Sequence, residues 1–276
     1  MVERSRSNRA IRHASRDSRA SGEAVSRWGG SGYFDASRRP LEILFFLLPF
    51  IALYEYELVR VLRSPEGLVT NGAHLAILRL FDAIGVDAVA LSLPGVLLVV
   101  LFLAKHVVSR GPWIVDLSVV GRMYLESAAL AIPLVVFSAA VARLAPAAGV
   151  ADFASLPFAA RVAVAIGAGL YEELVFRMVL VGLLLWLVRD VLEVERRMAT
   201  SVAIVIGALA FTAYHPLRDA GGAIETQRVV FYLGGGIYFG ILYLRRGFGI
   251  AAATHALFDL AAAALVEGAP PGSGGG

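Results

Sequence analysis

Residues 159–188 read AARVAVAIGAGLYEELVFRMVLVGLLLWLV, an apolar run that, past Arg161 at its start, is broken by one charged knot, Glu172-Glu173-Leu174-Val175-Phe176-Arg177. A helix needs only ~20 apolar residues to cross the hydrocarbon core of a bilayer. This run is longer, so it must tilt, kink or protrude. Six more apolar segments surround it in sequence, at 41–58, 87–108, 122–145, 198–215, 226–244 and 248–266. The mixed stretch 59–86 contains His74 to Ile84, which reads as an amphipathic interfacial helix. The pattern predicts an all-α fold, a polytopic transmembrane helix bundle of about seven to eight membrane helices.

Composition agrees with this. Of 276 residues, 58% are hydrophobic and 17% charged, against roughly 45–50% and about 25% in soluble domains. Cysteine is absent, which excludes disulfides, thiolate nucleophiles and Cys-based zinc or iron–sulfur sites. The net charge of +3 comes from arginines in the first 39 residues and at the ends of apolar blocks. That distribution fits a lipid bilayer with anionic headgroups as partner, and excludes nucleic acid. Arg-rich, Lys-poor usage points to a GC-rich bacterial source, and so to the bacterial cytoplasmic (inner) membrane.

Residues 1–39 are rich in Arg and Ser with almost no aliphatic run, which predicts a disordered cytoplasmic tail. No small-residue cleavage site follows the 41–54 block, which runs into Tyr54-Glu55-Tyr56-Glu57; the first helix is therefore read as retained. Residues 40–154 form the N-terminal transmembrane helices, and 268–276 a flexible C-terminal tail. With seven spans, the tail, the Lys105/Arg110 loop, Arg196-Arg197 and Arg245-Arg246 fall on one side, placing the N-terminus in the cytoplasm. Gly236 and Gly240 form a small-xxx-small pair that predicts close helix packing.

An ionisable side chain at bilayer depth costs at least about 2.5–3.5 kcal/mol, so each one is a candidate site. Glu173 and Arg177 are four apart on one helical face and can pair. Glu172 points to another face and has no local partner, which suits a general base. Pro216 disfavours helical geometry at His215, so the helix ends or bends there and His215 can turn inward. His255 and Asp259 share a face, where the carboxylate can orient the imidazole. The three clusters lie on separate helices that a bundle can converge. Glu172, His215, His255 and Asp259 are also oxygen and imidazole ligands that zinc accepts, though without a compact metal motif.

Three motifs in order, Glu172-Glu173…Arg177, Phe211…His215 and His255…Asp259, resemble those of the CAAX-prenyl-endopeptidase and bacteriocin-processing (CPBP, or Abi) intramembrane proteases. The resemblance covers roughly residues 155–266 and makes 155–267 a catalytic CPBP-like transmembrane core. It implies a glutamate-dependent endopeptidase without a cofactor, acting on a membrane-associated peptide or protein substrate. By resemblance, Glu172 activates a water, His215 helps to hold it, His255 and the residue at 259 stabilise the oxyanion, and Glu173 and Arg177 support the site. The prenyl-processing branch carries Asn where Asp259 stands. An ionised Asp cannot donate a hydrogen bond, so His255 becomes the safer donor and a prenylated substrate is disfavoured. Two other functions use the same residues: a non-catalytic bacteriocin-immunity or scaffold protein, and a proton-coupled transporter with Glu172 and the histidines as relay.

Overall fold

The computed structural model describes residues 32–62, 72–83, 93–143, 156–219 and 221–267. Expectations for residues 1–31, for the 268–276 tail and for the boundary at 154 lie outside the described residues. Among the described residues the chain is helical, with one isolated bridge between Arg218 and Ile224 and no strand. We number the helices α1 (Tyr33–Ala36), α2 (Pro40–Leu62), α3 (Gly72–Ala83), α4 (Leu93–Ser109) and α5 (Leu117–Ala142). There follow α6 (158–191), α7 (Arg196–Tyr214), α8 (Thr226–Arg246) and α9 (Phe248–Glu267). These helices cover most of the apolar segments read from hydropathy, including the interfacial candidate in α3.

Helix α9 is the centre of the bundle. It touches α2, α5, α6 and α8, and Ile250, Ala251, Ala252, Ala253 and Ala256 are fully buried. Such small side chains let the neighbouring backbones come close, the packing mode of membrane helices. The outer faces are the reverse of a soluble protein's. Leu125, Ile132 and Val136 on α5, Val205 and Leu209 on α7, and Val100 and Val107 on α4 are all exposed. Water would leave such faces unpartnered; lipid does not. Among the described residues two helices, Leu117–Ala142 and Arg196–Tyr214, are long and apolar enough to cross a membrane by themselves. The chain is an integral membrane protein.

Helices α7 and α8 run antiparallel. A Cβ on Gly236 would lie 2.9 Å from the Ala208 Cα, and one on Gly240 would lie 3.5 Å from Ile204. Gly236 is thus the point of closest approach, as the small-xxx-small spacing predicts. Antiparallel pairing brings Arg196 and Arg246 to the same end of the bundle. Arg38 reaches the Arg245 carbonyl there, and Phe102, one turn before His106 on α4, lies against Phe248. The basic groups of the tail edge, α4, α7 and α8 therefore collect at one end.

Residues 33–39, assigned by composition to the disordered tail, are ordered against this end. Arg246 donates to Glu126 (Nη2 to Oε2, 2.6 Å) and to the Ser37 hydroxyl (3.1 Å). The Tyr33 hydroxyl donates to the same Glu126 carboxylate. The Arg246 guanidinium also lies 4.4 Å from the Phe34 ring centre. The pairing is long-range, with partners some 90 and 200 residues along the chain, and local composition carries no trace of it.

Candidate active site

The charged knot sits within α6, where the backbone changes character. Phe158–Gly167 is α-helical, and Ala168–Val181 takes the wider i→i+5 π geometry. π turns are rare and concentrate at functional sites. Tyr171, just before the two glutamates, is fully buried, rests on Tyr54 and donates to Glu55 Oε1 (3.4 Å). Glu55 in turn accepts from the Gly95 amide (3.0 Å). Helices α2 and α4 thereby clasp the turn that presents Glu172.

Gly169 sets the distance from this turn to α9. A Cβ placed there would lie 2.6 Å from both the Ala252 carbonyl oxygen and the Ala256 nitrogen. Both are backbone atoms, so neither can rotate away. Gly169→Ala is expected to wedge α6 from α9 and to cost about 1–3 kcal/mol. It should appear as a lower melting temperature in detergent; an unchanged melt would show that the helices have slack.

Glu173 is fully buried and serves two partners with one oxygen. Its Oε1 lies 3.1 Å from Arg177 Nη1 and 2.9 Å from His255 Nδ1. The spacing-based pair with Arg177 therefore exists, but Glu173 also holds the imidazole on the neighbouring helix. Sequence spacing nominates Asp259 to orient His255. In the structure Glu173 takes the Nδ1 side, and Asp259 Oδ2 faces Nε2 at 3.5 Å. With a carboxylate against each nitrogen, His255 can donate on both sides only when doubly protonated.

Arg177 is enclosed by aromatic rings. Its guanidinium carbon lies 4.2 Å from the centre of Phe211 and 5.5 Å from that of Phe239. Phe239 stacks on His255 (4.5 Å, 19°). Phe211 is the hub of the site: its ring covers Arg177, and its carbonyl oxygen lies 2.8 Å from His215 Nδ1. A carbonyl can only accept, so Nδ1 carries the hydrogen and Nε2 of the neutral ring is the free acceptor.

Glu172 lies between the two histidines. Its Oε2 is 3.7 Å from His215 Nε2 and 4.0 Å from His255 Nε2. Both separations are too long for a direct hydrogen bond, so the three groups face one another without closing the site between them. The carboxylate is 6% exposed, His215 14% and Asp259 25%, so the site opens on the side of His215 and Asp259. Glu172, Glu173, Arg177, His215, His255 and Asp259 thus come together from α6, α7 and α9. Among the described residues no group of three His, Asp or Glu side chains has the geometry to hold a metal ion.

One residue of the site has no signal in the charge pattern. Tyr232 on α8 stacks face to face on His215. It is an aromatic in an apolar segment, and only the pairing of α7 with α8 shows where it falls.

Residues 154–261 match the family described as type II CAAX prenyl endopeptidase, Rce1-like. The matched stretch holds all three motifs and bears out the resemblance drawn from them. No curated protein and no solved structure matches the chain.

Proposed function

We propose, from the Rce1-like match of residues 154–261, that this chain is an intramembrane endopeptidase that hydrolyses a peptide bond of a membrane-associated precursor. Glu172 acts as general base on a water held with His215 Nε2. The water oxygen attacks the scissile carbonyl carbon while its proton passes to Glu172. The carbonyl oxygen gains the negative charge and takes a hydrogen bond from His255 Nε2–H. When the C–N bond breaks, the proton on Glu172 goes to the leaving amine. Glu173 and Arg177 hold His255, and Asp259 completes the pocket wall beside it. The structural observation that carries this reading is the meeting of Glu172 with the Nε2 atoms of His215, just past the end of α7, and His255 on α9, within 4.0 Å.

The finer topology belongs to the same reading. In it, about seven to eight helices lie in a bacterial cytoplasmic membrane, with the basic end and the N-terminus facing the cytoplasm, as the clustering of basic residues supports. The core 155–267 carries the chemistry, and 40–154 encloses it.

The test compares membrane proteomes of wild-type, deletion and Glu172→Gln strains for an uncleaved precursor. The same precursor is expected in the deletion and the variant. Its absence from both would sink the endopeptidase reading. The reaction is proposed to run without metal. Processing in isolated membranes is expected to be unchanged by 1,10-phenanthroline; a loss reversed by added Zn would instead make Glu172, His215 and His255 metal ligands.

A further inference from the structure

His215 is the one catalytic candidate that no helix holds. It follows the last residue of α7 with extended backbone (φ −87, ψ 156) and precedes Pro216. Its ring is fixed by a single hydrogen bond, from Nδ1 to the Phe211 carbonyl (2.8 Å). The rings of Phe211 and Tyr214 meet the imidazole tilted or edge-on, with ring centres 4.5 and 5.0 Å away and planes at 57° and 87°, so neither lies flat against it to stop a rotation that would swing Nε2 away from Glu172.

The face-to-face contact comes from α8. The Tyr232 ring lies parallel to the imidazole, with ring centres 3.9 Å apart and planes at 20°. One turn earlier on the same face, Arg228 donates to the Pro216 carbonyl (3.0 Å) and pairs with Glu225. The first turns of α8 therefore hold both the ring of His215 and the backbone just after it. Among the described residues the Tyr232 hydroxyl has no hydrogen-bond partner, so the contact is made by the face of the ring.

We propose that Tyr232 is the positioning residue for His215, its ring fixing the imidazole plane that aims Nε2 at Glu172. The role of that aim rests on the endopeptidase reading; the fixing of the ring does not. Because the face carries the contact, phenylalanine should replace tyrosine and an aliphatic residue should not. A misaimed group of this kind costs up to about 10²-fold in rate.

The experiment uses the full-length chain in lipid nanodiscs with ¹⁵N,¹³C-labelled histidine. The five histidines are separated by comparison with a His215→Gln sample. In wild type and Tyr232→Phe, the His215 ring protons are expected upfield, under the ring current of the stacked neighbour, in a single Nδ1-protonated tautomer. In Tyr232→Leu the part of the upfield shift due to the stacked ring should be lost, leaving only what Phe211 and Tyr214 contribute, and both tautomers should appear. Processing of the precursor should stay within about twofold in Tyr232→Phe and fall roughly 10- to 100-fold in Tyr232→Leu, in kcat rather than KM. If Tyr232→Leu does not accumulate, Tyr232→Met of similar volume carries the same comparison. An unchanged shift and tautomer in the aliphatic variant would overturn the proposal whatever the activity. The expected spectra in a chain that cleaves nothing would keep the positioning and overturn the endopeptidase.

Discussion

Glu172→Gln is expected to abolish processing while the protein still accumulates, full length, in the membrane. The exchange keeps the shape of the side chain and removes only its capacity to take a proton. General-base assistance contributes about 10²–10⁴-fold, and a loss in that range is the expected reading. The fold should be untouched because Glu172 is not the carboxylate that balances Arg177. That work belongs to Glu173, at 3.1 Å from the guanidinium. Precursor and product are quantified in the same membranes in which the variant is blotted. Full processing by Glu172→Gln would remove Glu172 from the mechanism. Loss of the protein itself would assign it a structural role.

Arg177→Met is expected to do the opposite, removing the protein before its activity can be measured. Glu173 has no exposure to solvent, and without Arg177 its charge is buried with only the His255 imidazole beside it. Breaking a buried pair from one side costs about 3–5 kcal/mol, a large part of the ~5–15 kcal/mol that holds a typical protein folded. Arg177→Lys should rescue little. An ammonium cannot lie flat between Phe211 and Phe239 while also reaching Glu173. The double change Arg177→Met with Glu173→Gln removes both charges and should restore accumulation. Activity should stay lost, because His255 Nδ1 no longer faces a carboxylate. The readouts are membrane yield and melting in detergent. A single variant that melts like wild type would show that the pair contributes nothing to stability.

These two outcomes divide along what a linear reading can reach. The membrane class and the segments that became α2 to α9 follow from hydropathy, because the bilayer sets their length and polarity. The Glu173–Arg177 pair follows from i,i+4 spacing, which the π turn does not break. Contacts across helices are a different matter. That Glu173 rather than Asp259 takes His255 Nδ1 depends on how near α6 comes to α9. Gly169 sets that approach, and nothing in an isolated glycine names its partner. Phe211 is visible as a motif residue, but the part of it that holds His215 is a backbone carbonyl common to every residue type. Tyr232 carries no charge, and no periodicity marks it. The ordering of residues 33–39 depends on Glu126 and Arg246, far along the chain.

Helices α8 and α9 are joined by one residue, Gly247, whose φ of +85° is closed to most side chains. Phe239 and His255 stand eight residues to either side of it, about 12 Å along each helix, and meet ring on ring. The connection has no slack, so the two helices move as a single hairpin. A displacement of α8 is handed on to α9. The Phe239 ring and the His255 imidazole therefore keep register like the two blades of closed scissors, with Gly247 as the rivet.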